Sequence, residues 1–185
     1  MNEYYHSLLM LARTVIAYTL GVGDLRLYEE LQAEGDPFFT QKKGVFVTLT
    51  TKAGALRGCI GNLIGYQSVV DQVARLAHEA AFNDPRFEAV TKEELEDLVI
   101  EISLLSEAKP ISSPREIRLG IDGIILIHHT QRAVFLPHVA LEQGWDLETT
   151  LRRLSNKAGL REDGWADSLT TFEVFQSTSF NEEQL

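Results

Sequence analysis

The chain has 185 residues, 44% of them hydrophobic, which is enough apolar material for one compact unit or for a main domain with a small added lobe. Its 27 acidic residues outnumber its 17 lysines and arginines, so the formal net charge is −10 at pH 7. Nucleic-acid affinity comes mainly from neutralising phosphates, so this balance argues against a nucleic-acid partner. RNA association through a local basic groove is therefore the weakest functional hypothesis.

The amino-terminal segment and the cysteine content predict the compartment. Cys59 is the single cysteine, so no intramolecular disulfide can form. The first apolar stretch has no basic region before it and no small-residue cleavage site, and Arg13 interrupts it before it is long enough to span a bilayer. We therefore expect a cytoplasmic protein with no membrane partner.

Helical spacing marks the first elements. Apolar residues recur at three- and four-residue intervals from Tyr5 to Leu20, and Gly21 ends this predicted helix. A second, short helix is predicted after Asp24, whose side chain can cap it, and residues 35–37 break it.

The period then changes from helical to extended in the segment GVFVTLTTKAGALRGCIGNL. Residues 45–50 alternate as a strand, TKAGA supplies a turn, and LRGCIG resumes the extended pattern. Arg57 and Cys59 share one face of this second strand, with backbone positions about 7 Å apart. Gly58 and Gly61 flank the cysteine, and glycine inside a strand indicates a bulge or the close approach of a ligand or another backbone.

A longer helix and a strand follow. The segment YQSVVDQVARLAHEAAF is amphipathic and predicts a helix that ends before Pro85. Thr91 and Glu94 form a capping-box pattern that opens a further helix, KEELEDL. LVIEISLLS is then predicted to be a strand in which Glu101 alternates with core residues.

The last third of the chain mixes a hairpin, a helix and a strand. Pro110 and Pro114 bound a loop, and IDGIILIHHTQRAVFLP predicts a hairpin that turns near Thr130. Asp146 caps the helix LETTLRRLSNKA, which Gly159 ends, and TTFEVFQSTSF is predicted to be one final strand. Helices and strands together indicate an α+β fold.

Five ordered motifs resemble a known family. The chain is similar to the AMMECR-one family in five segments. In chain order they are Leu56-Arg57-Gly58-Cys59-Ile60-Gly61, Asp84-Pro85-Arg86-Phe87 after a helix, Glu101 to Ser106, LGIDGIIL and FLPHVALEQGWDLETTLRRLSNKAGL. The resemblance covers nearly the whole chain. The sequence departs from the family pattern at His138, where glutamine is expected, and at Ile64-Gly65.

The resemblance implies a fold and partners rather than a reaction. It implies one AMMECR-one type domain over residues 1–185, divisible into two subdomains with no boundary set by the sequence. The larger part has a mixed or mainly antiparallel sheet with flanking helices, and a cleft near the Arg-Gly-Cys string separates it from a smaller lobe. The resemblance also implies association with Memo-like and radical SAM proteins. We expect no cofactor.

Cys59 has two interpretations that the sequence leaves open. The thiolate is the reactive form of cysteine, and a neighbouring arginine and backbone N–H groups stabilise it, which favours a catalytic nucleophile or acid/base. Free cysteine is also among the most buried residue types and packs as a small hydrophobe. No histidine or acid lies beside it in sequence to act as a base.

Arg57 likewise has two interpretations. It can hold a carboxylate or phosphate bidentately beside the backbone of Gly58 and Gly61, or it can form an ion pair with Asp84 or Glu101. We expect structural roles for Asp84, in the loop after a helix, and for Glu101.

Further candidates are Arg86, for which a ligand role and a structural role both remain open, and two groups of histidines. We retain Arg86 and His138 as ligand contacts. His128 and His129 are adjacent and point to opposite faces of a strand, and His138, His78 and Cys59 show no recognised ligand spacing, so no metal site is predicted.

Two main functional hypotheses remain. In the first, a cleft lined by Arg57 and Cys59 binds a small anionic ligand or a partner protein. In the alternative, the protein is an enzyme in which Arg57 holds an anionic substrate, Cys59 reacts, and His138 or Glu101 exchanges protons. The sequence does not decide whether the protein is an enzyme.

Overall fold

A computed structural model describes residues 2–184 and shows an α+β fold, as predicted. The chain divides into two compact units, one formed by the residues up to Leu105 together with those from Thr178 onward, and the other by Ser106–Ser177. None of the helices within residues 2–184 is both long enough and apolar enough to cross a membrane.

The first unit is a four-stranded sheet with helices on one face. Its strand order is β2-β1-β3-β8, and β1 pairs antiparallel with both β2 and β3. Its elements are α1 (Glu3–Thr19), α2 (Arg26–Glu34), α3 (Pro37–Thr40), β1 (Val45–Thr51), β2 (Leu56–Asn62), α4 (Val69–Phe82), β3 (Leu98–Leu105) and β8 (Ser177–Asn181).

The apolar stripes predicted for α1 and α4 form the core of this unit. Both helices pack on the sheet, and α4 lies over β1 and β2. The side chain of Ser68 caps α4 by accepting the N–H of Asp71, which satisfies one free donor of the first turn. The fully buried core includes Leu8, Leu9, Leu11, Ile16, Val45, Val47, Leu49, Val73, Leu76, Ile100 and Ile102.

The second unit is a smaller antiparallel sheet with the strand order β4-β7-β5-β6. Its elements are β4 (Lys109–Ile111), β5 (Gly123–His128), β6 (Gln131–Phe135), α5 (Val139–Glu142), α6 (Leu147–Lys157) and β7 (Thr170–Phe175). Its core contains Ile117, Ile124, Leu126, Ala133, Leu151, Leu154, Ala158 and Phe172. Asp146 caps α6, and the hairpin turns at residues 129–130, as predicted.

One prediction about the elements of the first unit is wrong, and two others gain detail. KEELEDL forms turns over residues 92–97 and enters β3 at Leu98, although Glu94 makes the predicted bond to the N–H of Thr91 and is also held by Arg57. The second helix begins at Arg26 with Leu25 at the N-cap position, and the side chain of Asp24, one residue earlier, accepts the N–H of Arg26. Residues 35–37 end that helix, as predicted, and Asp36 also caps the short helix α3.

Two further corrections concern the last third of the chain. TTFEVFQSTSF is two strands, because β7 belongs to the sheet of the second unit and β8 to the sheet of the first. Pro110 lies in the short strand β4 rather than in a loop. β4 is an edge strand, where a residue without an N–H is tolerated.

Candidate functional site

Cys59 lies on β2, the edge strand of the first sheet, and its neighbour Gly58 lies under α4. A Cβ atom built on Gly58 would sit 2.1 Å from the carbonyl oxygen of Ala80, so only glycine lets the helix backbone come this close. Ile60 faces the same way and packs against the core. Since strand side chains alternate, Cys59 points to the face of the sheet opposite α4.

Gly61 also permits a close approach, but by a side chain. It lies opposite Phe46 in the β1–β2 register, and a Cβ atom on Gly61 would come within 2.2 Å of the Phe46 ring. The bulge that the glycines suggested is present beside Gly58, because Leu49 pairs with Gly58 and Thr50 pairs with Leu56, which leaves Arg57 of β2 as the extra residue. Both glycines therefore make room for protein atoms.

Asp84 and Arg86 hold the outer edge of β2 at Cys59. The carboxylate of Asp84 accepts the N–H of Cys59 at 2.9 Å, and Nη2 of Arg86 donates to the Cys59 carbonyl at 3.1 Å. Arg86 also donates from Nε and Nη2 to Asp84, at 2.9 and 2.7 Å. The two side chains thus satisfy both backbone groups of Cys59, as a neighbouring strand would, and they protect an exposed edge.

Asp84 and Arg86 are both charged at neutral pH, so their ion pair is present there. Hydrogen bonds from Arg86 and from the N–H of Cys59 hold the pKa of Asp84 well below its ordinary value, although burial of the carboxylate acts in the opposite direction. The pKa of Arg86 is raised, chiefly by Asp84, with a smaller contribution from the Cys59 thiol. Arg86 is therefore a cation near the sulfur.

Arg57 forms an ion pair, but with neither of the partners that the sequence suggested. Its Nε and Nη2 donate to the Glu94 carboxylate at 2.7 and 3.1 Å, and its Nη1 donates to the carbonyl of Glu88 at 2.8 Å. The hydrogen bonds to Glu94 raise the pKa of Arg57 and lower that of Glu94. With a side chain only 14% exposed, Arg57 anchors the loop after α4 to β2.

The sulfur of Cys59 lies in a row of cross-strand neighbours. Thr48 is opposite Cys59 on one side and opposite Glu101 on the other, and its hydroxyl donates to Sγ of Cys59 at 3.3 Å. Cys59 and Glu101 are thus two strands apart, or roughly 10 Å between backbones. The hydroxyls of Ser103 and Ser179, 2.8 Å apart, extend this polar surface. We call Thr48, Cys59, Glu101, Ser103 and Ser179 the polar face.

The histidines lie apart from these residues in sequence and are distributed over both units. His138 is exposed at the start of α5 in the second unit. His128 ends β5 and bonds to Thr170, while His129 has a positive φ of 54° in the hairpin turn. His78 contacts Phe82, also on α4, with the two rings tilted to one another. No cluster of three metal-ligating side chains occurs within residues 2–184.

Sequence reasoning missed two residues of the site, Thr48 and Glu94. Thr48 could have been found by extending the predicted hairpin register, which places it opposite Cys59. Glu94 was selected only as a capping residue, because nothing local indicates that Arg57, 37 residues earlier, reaches it.

Comparisons with known proteins agree with this architecture. The family model AMMECR1 matches residues 9–180. A protein of Methanothermobacter thermautotrophicus is 40% identical over 184 residues, covering 96% of this chain and 93% of the relative, and Protein PF1979 of Pyrococcus furiosus is 36% identical over 193 residues, covering 98% and 90%. The crystal structure of Uncharacterized Protein PH0010 from Pyrococcus horikoshii matches with a TM-score of 0.78 and 33% identity, over 99% of this chain and 93% of that one.

Proposed function

The chain belongs to the AMMECR1 family, and on that premise we propose that it is a binding protein whose first unit takes a small ligand bearing a carboxylate or phosphate, beside Cys59. The observation that carries this proposal is the state of Arg86. Its side chain is 54% exposed, yet Nε and Nη2 are held by Asp84 and by the Cys59 carbonyl.

A guanidinium held in this way is suited to anions. The hydrogen bonds from Arg86 to Asp84 and to the Cys59 carbonyl use Nε and Nη2, so Nη1 is available to a ligand that approaches beside the Cys59 thiol, with which the guanidinium also interacts. The side chain has already lost its rotamer freedom, so ligand binding incurs little additional entropy cost. Asp84 neutralises part of the positive charge, so we expect modest affinity and a preference for ligands that also bond to the polar face.

The neighbouring residues have supporting roles in this proposal. Cys59 and Thr48 offer a thiol and a hydroxyl next to the cation. Arg57 orders the loop that carries Arg86, and Gly58 and Gly61 bring β2 against α4 and Phe46. These roles replace the direct ligand contacts that the sequence suggested for Arg57 and the two glycines.

NMR titration of the full-length protein with inorganic phosphate, and separately with acetate, tests the proposal. We expect saturable shifts of the Arg86 Nε–Hε signal and of the Cys59 amide. Arg86→Lys should weaken binding about ten-fold, the equivalent of one hydrogen bond to a charged group. The matched control is Arg118→Lys, which alters a similar arginine–aspartate pair in the second unit.

Two results would reject the proposal. One is the absence of saturation for both anions. The other is an equal response of the Arg86 and Arg118 signals, which would indicate a general ionic effect. Backbone amide spectra of both variants establish that they are folded before the titrations are compared.

A second candidate function is an enzyme that uses Cys59, and the row Cys59–Thr48–Glu101 favours it. The Thr48 hydroxyl donates to Sγ, which stabilises the thiolate form of Cys59, and Glu101, opposite Thr48 on β3, is an acid/base group on the same face of the sheet. Iodoacetamide labelling of the native protein, followed by intact mass, measures this activation because Cys59 is the single thiol. Glu101→Gln should slow labelling, while Ser103→Ala should not. Labelling that begins only on unfolding would exclude a reactive thiol.

A third proposal concerns partners, and one exposed loop supports it. Ile64 and Tyr66 follow β2 and are 51% and 76% exposed, and Gln72 fixes the base of their loop by donating to the carbonyls of Lys43 and Gln67. Fixed, exposed apolar side chains are typical of protein interfaces. Co-purification with Memo-like and radical SAM proteins, with Tyr66→Ser compared with Tyr18→Ser, tests this. Equal recovery of partners with both variants would exclude the loop.

A further inference from the structure

The second unit has a cavity of its own, which lies between the end of β5 and the loop after α6. It has a volume of about 420 Å³, within the range of small-molecule sites. His128, Arg161, Asp163 and Asp167 line it, together with apolar atoms of Leu160 and Ala166. We call it the His128 cavity, and nothing in the function proposed above uses it.

The hydrogen bonds of His128 fix its tautomer. The Thr170 hydroxyl donates its one hydrogen to the carbonyl of Gly164 at 2.7 Å, since a carbonyl can only accept. Nδ1 of His128 lies 2.9 Å from the same hydroxyl oxygen, so Nδ1 must carry a hydrogen and donate it. In the neutral ring Nε2 is then an acceptor, and no described residue donates to it.

The charges of the cavity lining favour a cation. Arg161 and Asp163 neutralise each other through a bidentate pair. Asp167 accepts the N–H of Leu169 through Oδ1, and no lysine or arginine among residues 2–184 pairs with its carboxylate. The lining thus combines one uncompensated negative charge with one free nitrogen acceptor.

We propose that the His128 cavity binds a primary ammonium group. An ammonium is a compact cation with three N–H donors, and it can donate to Nε2 of His128 while its charge is balanced by Asp167. A divalent metal ion fits less well, because no set of three metal-ligating side chains converges within residues 2–184.

Long-range ¹H–¹⁵N NMR of the full-length, ¹⁵N-labelled protein tests the tautomer and the ligand together. In mildly alkaline buffer we expect the His128 ring to show a protonated Nδ1 and a bare Nε2. Methylammonium chloride should then shift the Nε2 signal in a saturable way. Tetramethylammonium chloride has the same charge and no N–H, so it should leave that signal unchanged.

Two variants separate the contributions to binding. Asp167→Asn keeps the acceptor for Leu169 and removes the charge, so methylammonium affinity should fall about five-fold, the size of an exposed ion pair. His128→Gln should abolish the discrimination between the two ammonium ions, with backbone spectra verifying the fold. A hydrogen on Nε2, equal responses to both ions, or displacement of methylammonium by zinc chloride with loss of the Nε2 signal would each overturn the proposal.

Discussion

Asp84 with Arg86 in the first unit and Asp122 with Arg118 in the second are ion pairs of the same design. In each, a buried carboxylate receives two hydrogen bonds from a guanidinium, at 2.9 and 2.7 Å in the first pair and at 3.0 and 2.7 Å in the second. The two arginine side chains are 54% and 59% exposed. Sequence spacing is also similar, two residues in one pair and four in the other.

The pairs differ in their further partners. Asp84 accepts the N–H of Cys59, 25 residues earlier, and Arg86 donates to the carbonyl of the same residue. Each aspartate also accepts the backbone N–H of its own arginine, and the further side-chain contact of Asp122 is a weaker one, with Gln176. The pKa of both aspartates is lowered, that of Asp84 further. The same local chemistry therefore bonds to both backbone groups of a distant strand edge in one unit and mainly closes a short turn in the other.

The largest effect should come from removing the charge at the strand edge. Asp84→Asn leaves Arg86 without its partner and weakens the bond to Cys59, so we expect a loss of about 3 kcal/mol in the free energy of unfolding. Asp122→Asn should cost clearly less, because the bonds it weakens lie mainly within the Arg118–Asp122 turn and the contribution from Gln176 is small. Urea unfolding followed by far-UV circular dichroism measures both. Equal losses would mean that the long-range bonds contribute nothing.

A glycine in each region extends the comparison. Gly58→Ala places a methyl group against the carbonyl of Ala80. That carbonyl belongs to the backbone of α4 and cannot move aside as a side chain would, so we expect a loss of about 2 kcal/mol in the free energy of unfolding. Gly120 lies in the Arg118–Asp122 turn with a φ of +80°, and its nearest neighbour is the exposed side chain of Leu141. Gly120→Ala should cost about 1 kcal/mol, mainly from backbone strain.

The reverse order, with Gly120→Ala the more damaging, would show that α4 can shift away from β2. Thermal unfolding of the two variants beside the wild type measures this order. A hydrogen-exchange map of β2 in Gly58→Ala adds a local test, since the amides of a displaced strand lose protection.

A smaller effect is expected from acid. Because the pKa of Asp84 is lower in the folded protein than its ordinary value of 3.8, the stability linked to this carboxylate is present above that pH and is lost as the pH falls below it. Urea unfolding midpoints measured between neutral pH and roughly pH 3 should decline in the wild type and decline less in Asp84→Asn. Parallel pH profiles would show that other carboxylates govern the acid response.

The smallest effect is expected where an ion pair has neither a buried partner nor a distant one. Arg152 and Glu148 form an exposed pair one turn apart on α6. Arg152→Ala should change the free energy of unfolding by no more than about 0.5 kcal/mol. This variant sets the baseline for the comparison, and a loss as large as that of Asp122→Asn would remove the distinction between exposed and buried pairs.

Periodicity and capping patterns predicted much of the fold. The helices α1, α4 and α6, the hairpin β1–β2 and the hairpin β5–β6 all occur where the sequence indicated, because each buries a stripe or face that its own residues define. Predictions failed where a structure depends on residues that are distant in the sequence. Glu94 makes the predicted bond to Thr91 and a further bond to Arg57, but no helix follows it, and the segment around Gln176 looked continuous although its two strands join different sheets.

In the candidate site, too, local features were predicted and contacts between distant residues were not. The alternation of β2 was sufficient to predict that Arg57 and Cys59 leave the core side of the sheet, and Asp84 has the structural role expected of it. The sequence did not reveal that Thr48 bonds to the sulfur or that Arg86, rather than Arg57, contributes a cation to Cys59. Those contacts depend on strand register and on the path of residues 83–97.

By itself, then, the sequence determined the type of most elements, the face on which each side chain lies and the family to which the chain belongs. Only the tertiary structure decided which charged groups meet, because the partners of Arg57 and Cys59 lie 25 to 37 residues away. Local spacing determines the face of a strand or helix from which each side chain points. The choice of partner depends on how the loop folds back to satisfy the N–H and C=O groups of an exposed strand edge, which requires the whole unit to be assembled.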